Sequence, residues 1–284
     1  MRLPTHRHIP LSTRISILFG GFKAQFGWAF LGFGMIFFWA FAMNMDLSFL
    51  QYNGNVITVE GLATGYSVTD ASENGVSVFA NHFTFKTEDG VNITGTSYAT
   101  GERVLDGETL TIEYPEGKPQ YARIRGMRTK TFGGFVIFVV IFPLVGLVFI
   151  LLSLRRSLRA LRLFKYGILA SGELISKEKT NTKINNRTVY RMTFRYKDDL
   201  GREYERKERT PLPYLLQDDK AERLLYLRRK PSYAILVDSL PSSYLMNKEG
   251  KIDAAPMRNV ILLMIIPTAG IIGHLVYFIN TYVI

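Results

Sequence analysis

The stretch from Phe132 to Leu154, FGGFVIFVVIFPLVGLVFILLSL, runs for 23 residues without a charge. The hydrocarbon core of a bilayer is about 30 Å thick, and about 20 consecutive apolar residues in a helix cross it. A soluble domain has little use for so long an apolar run, so this stretch constrains everything around it. Arg155, Arg156, Arg159 and Arg162 follow at once, at the level where cations meet lipid headgroups. Pro143, near the middle, predicts a kink, because proline removes one backbone hydrogen bond and crowds the preceding turn.

Two further windows share this character. The first span covers 26–43, and the third covers 259–282 with Pro267 inside it. Ala40-Phe41-Ala42 has the small-x-small pattern of a signal-peptide cleavage site. Against cleavage stand the long basic leader and the bulky Phe37, Phe38 and Trp39 beside that site, so a retained helix is expected. The chain has 20 Phe, 15 Tyr and 2 Trp, several at the ends of these windows, as an aromatic belt requires. The leader, residues 1–25, carries Arg2, Arg7, Arg14 and Lys23. Its stretch from Ser12 to Phe22 reads either as amphipathic, lying on anionic lipid, or as a plain juxtamembrane segment, the simpler expectation. There is no cysteine, which excludes disulfides, thiolate metal sites and a cysteine nucleophile.

Between the spans the pattern changes to short β runs punctuated by turn residues. In 44–131, strands are expected at Val56–Val59, Val76–Ala80, His82–Lys86, Val91–Tyr98 and Thr109–Tyr114, with turns at Glu88-Asp89-Gly90 and Leu105-Asp106-Gly107. In 155–258 they are expected near Ala170–Lys177, Thr188–Tyr196, Glu203–Arg209, Arg223–Leu227 and Ala234–Asp238, with a turn at Asp198-Asp199-Leu200-Gly201. The expected fold class is an α+β membrane protein. Three transmembrane helices would join two repeated small β domains, each a barrel or sandwich.

The case for repetition rests on the ends of the two β segments. Tyr114-Pro-Glu-Gly-Lys-Pro-Gln-Tyr-Ala122 and Tyr226-Leu-Arg-Arg-Lys-Pro-Ser-Tyr-Ala234 agree at five of nine positions without a gap. Upstream, Phe83-Thr84-Phe85 matches Met192-Thr193-Phe194, followed in each case by charged residues and a glycine turn, so one β unit is expected twice. The shared tyrosines read as packing residues. This arrangement resembles a widespread, mostly bacterial family of uncharacterised membrane proteins in which a small β domain sits between transmembrane helices. The hairpins HFTFKTEDG and MTFRYKDDLG and the closing Tyr-x-x-x-Lys-Pro-x-Tyr-Ala carry the resemblance over about half of the chain. The long PLPYLLQDDKAE insert departs from it. The resemblance implies a cytoplasmic-membrane location and brings no activity with it.

The net charge of +11 is unevenly spread, at −4 over 44–131 and +11 over 155–258. Basic flanks of membrane helices account for this more simply than nucleic acid does, and no nucleic-acid partner is expected. Lys23 before the first span and Asp46 after it favour a cytoplasmic N-terminus. The first β domain is then expected outside, the second inside and the C-terminus outside. The charges flanking the second span are too balanced to settle this alone.

Catalytic signatures are missing. No phosphate-binding loop, dinucleotide fingerprint, zinc-protease helix or nucleophile elbow is present. His6, His8, His82 and His274 are too dispersed for a metal cluster, and the pairs Asp198-Asp199 and Asp218-Asp219 read as solvated turns. No enzyme activity, cofactor or metal is therefore expected. His274 stands out because an ionisable group inside a span is costly and commonly functional. It reads either as a polar contact within a helix bundle or as a histidine that reaches interfacial water. The small residues Ala269, Gly270 and Gly273 before it would permit close helix approach. The sequence points to a non-enzymatic scaffold or accessory subunit with membrane lipids and a protein partner, or a second copy, as its contacts. The alternative is a component of an oligomeric transporter or channel.

Overall fold

The computed structural model describes residues 6–217, 221–239 and 251–283. Its helices are α1 (Leu11–Phe19), α2 (Phe22–Ala40), α3 (Ile141–Tyr166) and α4 (Met257–Tyr282). Three helical stretches, Phe22–Asn44, Gly134–Tyr166 and Met257–Tyr282, are long and apolar enough to cross a membrane. Two five-stranded sheets complete an α+β chain. The chain divides into two compact units, Phe33–Leu144 and Met1–Gly32 with Val145–Ile284.

The unit Phe33–Leu144 holds β1 (Val56–Glu73), β2 (Val76–Lys86), β3 (Asn92–Thr100), β4 (Thr109–Pro115) and β5 (Arg123–Ile124). Their order is β3-β2-β1-β4-β5, with every pair antiparallel. Three hairpin-linked strands and a fourth that returns beside the first make a Greek key. Alternation along each strand sends Phe83, Phe85, Leu110, Ile112 and Tyr114 into one core, as a pleat with one buried face requires. Asn74 and Gly75, both with positive φ, form the tight turn of the long β1–β2 hairpin. The sheet curls until β3 meets the segment after β5. There Tyr98 and Arg128 exchange backbone hydrogen bonds at 2.8 and 3.0 Å, and Ser97 Oγ accepts from the Ile124 N–H at 2.8 Å.

The other unit contains β6 (Ile168–Ile184), β7 (Arg187–Lys197), β8 (Glu203–Thr210), β9 (Glu222–Leu227) and β10 (Lys230–Leu236). Their order, β10-β9-β6-β7-β8, is the same Greek-key connectivity. The long strand is interrupted twice in each sheet, between Ala63/Gly65 and Val68/Ser72 in β1 and between Leu174/Ser176 and Lys179/Lys183 in β6. Even the bulge chemistry corresponds. Thr69 Oγ1 donates to Val78 O at 2.8 Å, and Thr180 Oγ1 donates to Val189 O at 2.7 Å. Met192, Phe194, Tyr196, Leu224, Tyr226 and Leu236 form the inner core of this sheet. A second core lies behind it, where Leu225, Ile235 and Val237 pack with Leu163 and Phe164 of α3 and Ile17 of α1.

Several expectations change. The leader is not a free juxtamembrane segment, because α1 packs on its neighbours. Thr13 Oγ1 donates to Asp253 O at 2.7 Å and accepts from the Ala255 N–H at 3.0 Å, and Ser157 Oγ of α3 donates to Ile17 O at 2.6 Å. Pro143 does not interrupt a continuous α-helix. It is the third residue of α3, and Gly134–Val140 before it is 3-10 helix, so the span changes from 3-10 to α just ahead of the proline. β1 and β2 are single long strands rather than fragments. Across β1–β2 and β6–β7, Gly61 faces Phe85 and Gly172 faces Tyr196, so Phe83 corresponds to Phe194 rather than to Met192. The closing motif also diverges. Pro119–Tyr121 is a 3-10 turn, whereas Lys230–Leu236 is a full strand. Tyr114 and Tyr226 are core residues, but Tyr121 is 42% exposed. The pair Asp218-Asp219 lies outside the described residues.

Candidate functional site

α3 outruns the membrane. From Gly134 to Leu154 the 3-10 and α segments rise about 35 Å, enough for the hydrocarbon core, and Arg155–Tyr166 adds about 18 Å. On this extension Arg155, Arg159 and Arg162 are spaced i, i+4, i+7 and form one stripe, with Arg156 on its flank. Ser153, Ser157, Ala160 and Phe164 repeat that spacing on the buried face, while all four arginines are exposed. Among the described residues none of the four takes part in an ion pair. The stripe is therefore an unneutralised cationic face held rigid from behind. The end of α3 is held too. The Arg7 N–H donates to Lys165 O at 3.0 Å, and its Nη1 donates to Gly167 O at 2.5 Å and Phe164 O at 3.3 Å. A cation there suits the negative end of the helix dipole.

His274 lies on the face of α4 turned to α2. Its Nε2 is 2.9 Å from Gly32 O, near the middle of α2. One turn earlier the two backbones approach closely, because a Cβ on Gly32 would sit 3.8 Å from the Gly270 Cα. One turn earlier again, Pro267 cannot donate to Leu263 O, and Gln25 Nε2 of α2 donates to that carbonyl at 3.0 Å instead. A neighbouring helix thus satisfies the carbonyl a proline frees, as an apolar medium demands. Gln25 faces Leu263 and Gly32 faces Gly270, so α2 and α4 run parallel. Gly27 faces Ile150 and Leu31 faces Gly146, so α2 and α3 run antiparallel. A Cβ at Gly146 would sit 2.4 Å from Leu31 N, which makes glycine obligatory at that crossing. The structure does not bring His274 and the arginine stripe together. His274 is level with Gly32, while Arg155 lies about 14 Å further along α3.

In the unit Phe33–Leu144 the polar chemistry collects where the sheet joins α2 and α3. Asp46 Oδ1 accepts from the Ser48 N–H at 2.7 Å and Thr129 Oγ1 at 3.0 Å, and its Oδ2 accepts from the Thr129 N–H at 3.0 Å. Burial pushes this carboxyl up, but the bonds from Ser48 and Thr129 outweigh burial and hold it below the usual carboxylate range. Met45 and Phe132 form a parallel bridge beside it, so the strands leaving and re-entering the helices are clamped together. Arg123 lies 4.0 Å over the Tyr52 ring and pairs with Glu113 at 2.7 Å. Arg128 pairs with Glu73 at 2.6 Å. These cations are neutralised, and the cluster is structural.

One arrangement is invisible in the sequence. His82 Nε2 lies 3.2 Å from Ser67 Oγ, and its Nδ1 lies 3.0 Å from Thr96 Oγ1, on the outward face of three adjacent strands. A hydroxyl stands where a hydrolase places a carboxylate, so the arrangement is not that of a catalytic triad. The trio ties β1, β2 and β3 together. Asp198, expected as a solvated turn residue, is buried and accepts from the Leu200 and Arg202 N–H groups at 2.9 Å each. It closes the β7–β8 turn. No group of three or more His, Cys, Asp or Glu that could hold a metal ion occurs among the described residues. Comparison with protein-family models, curated proteins and solved structures returned no match.

Proposed function

We propose that the chain is a multi-pass protein of a bacterial cytoplasmic membrane, acting as a non-enzymatic scaffold or accessory subunit through its two β domains. The family resemblance of the hairpins and the Lys-Pro-x-Tyr-Ala closures belongs to the same proposal. The observation that carries it is the unlike finish of two sheets with one strand order. On the face of β2–β3 that carries His82 the cross-strand pairs are Ala80–Tyr98, His82–Thr96 and Thr84–Thr94. On β7–β8 the corresponding pairs are Arg191–Arg209, Thr193–Lys207 and Arg195–Glu205. A duplicated unit whose cores agree and whose surfaces do not suits two different partners.

In this reading the N-terminus is cytoplasmic, the β1–β5 domain outside, the β6–β10 domain inside and the C-terminus outside. Antiparallel α2/α3 and parallel α2/α4 packing supports three successive crossings. Arg155, Arg156, Arg159 and Arg162 meet anionic headgroups on the cytoplasmic side, each contributing about 1 kcal/mol near such a surface. His274 is an intramembrane polar contact that fixes α4 on α2. Replacing it with Ala costs about 0.6–1.7 kcal/mol of bundle stability, read by thermal unfolding in detergent. The test of function is native mass measurement after mild extraction. A stoichiometric partner or second copy supports the proposal, and a bare monomer contradicts it.

A further inference from the structure

The pair Arg191–Arg209 is anomalous. These residues are direct cross-strand partners on β7 and β8, and like charges placed opposite one another destabilise a sheet. Lys207 is the next residue on the same face of β8. Arg206 comes to the same place from the other face of the strand. A cavity of about 450 Å³ at this edge is lined by Arg191, Arg206, Lys207, Arg209 and Glu208.

The local acids do not neutralise it. Glu178 lies 3.5 Å from Arg191, but the two side chains are 61% and 42% exposed, so water screens the pair. Glu208 pairs with Arg206 Nη2 at 2.9 Å. Lys207 and Arg209 meet no carboxylate among the described residues. A second observation is independent of charge counting. Arg206 Nε is shielded from solvent and meets no acceptor among the described residues, and a buried guanidinium N–H without an acceptor is costly. The same face of the β1–β5 sheet carries Ala80, Tyr98 and Thr96 at the three corresponding positions, so the fold itself does not require cations there.

We propose that this edge of the β6–β10 sheet binds a phosphate group. Guanidinium forks present paired N–H donors to phosphate oxygens, and Lys207 adds a point charge. The inference rests on the reading of this domain as a partner-binding module and names the chemistry of its partner. The phosphate could belong to a soluble phosphorylated molecule or to a lipid headgroup.

The experiment uses the full chain in phosphatidylcholine nanodiscs, titrated calorimetrically with inorganic pyrophosphate at low salt. The wild type is expected to bind, with an affinity that falls as salt rises. The double variant R191Q/R209Q is expected to bind at least tenfold more weakly, while K86Q in the other sheet binds as the wild type. The double variant also melts at an equal or higher temperature, because a like-charge pair is gone, so weakened binding is not a folding defect. Nanodiscs containing phosphatidylglycerol separate the sources. Competition in those discs identifies the headgroup as ligand, and unchanged binding identifies a soluble phosphate; either outcome supports the site. No pyrophosphate binding by the wild type, or equal binding by R191Q/R209Q, overturns it. Because the titration reads binding on either side of the membrane, its failure leaves the proposed topology standing.

Discussion

In the β1–β5 sheet, Glu113 and Arg123 are cross-strand partners; in the β6–β10 sheet their counterparts are Leu225 and Ile235. The neighbouring positions agree, with Ile112–Ile124 matched by Leu224–Leu236. Two residues thus decide what the back of each sheet can do. Glu113 and Arg123 form an ion pair that is finished by Ser48 and the Tyr52 ring, leaving a polar back. Leu225 and Ile235 are buried beneath Leu163, Phe164 and Ile17, so that back becomes the seat for α1 and the end of α3. The same strand order yields a domain fastened by its chain ends in one unit and by its sheet face in the other.

The largest effect should come from Leu225→Glu, which buries an unpaired carboxylate under α3. A loss of about 3–5 kcal/mol is expected. The reciprocal exchange, Glu113→Leu with Arg123→Ile, removes a partly exposed pair and should change stability by about 1 kcal/mol or less. Thermal unfolding in detergent measures both, and equal losses would break the comparison. Next, Phe83→Ala and Phe194→Ala should each cost about 3 kcal/mol, because both rings are buried at corresponding core positions. A markedly cheaper change in one sheet would show that the two cores are not built alike.

Acid gives a smaller effect. Burial raises Asp46 and Glu73, but hydrogen bonds from Ser48 and Thr129 to the first, and from Thr100 and Arg128 to the second, leave both below the usual carboxylate range. A carboxyl lowered in the folded state contributes stability above its unfolded pKa of about 4 and loses it as pH falls through the folded value. Asp46→Asn should therefore flatten the stability loss of the β1–β5 unit below about pH 4, at a cost near 1 kcal/mol at neutral pH. An unchanged acid profile would remove Asp46 from the clamp.

How far these features can be read from the sequence depends on their range. The spans, the glycine turns at Gly90 and Gly201 and most strands of the second domain follow from hydropathy and local turn chemistry. The full length of β1 does not, because Gly65 and Asp70 break the two-residue period where the strand bulges. The docking of α1 is hidden because Thr13 and Ser16 look like surface residues yet are buried. His274 stands out as an ionisable residue in an apolar run. Its partner is a backbone carbonyl, which no side-chain pattern encodes. The Ser67–His82–Thr96 trio and the Arg191–Arg209 opposition exist only once strand register is known.

The central proposal is that the β1–β5 and β6–β10 domains face opposite sides of a membrane. Because the chain has no cysteine, single probes can be placed at the two corresponding hairpin turns as Asn74→Cys and Asn185→Cys. A membrane-impermeant maleimide applied to intact cells is predicted to label Asn74→Cys at once and Asn185→Cys only after the membrane is opened. Labelling of both turns from the same side would contradict the account.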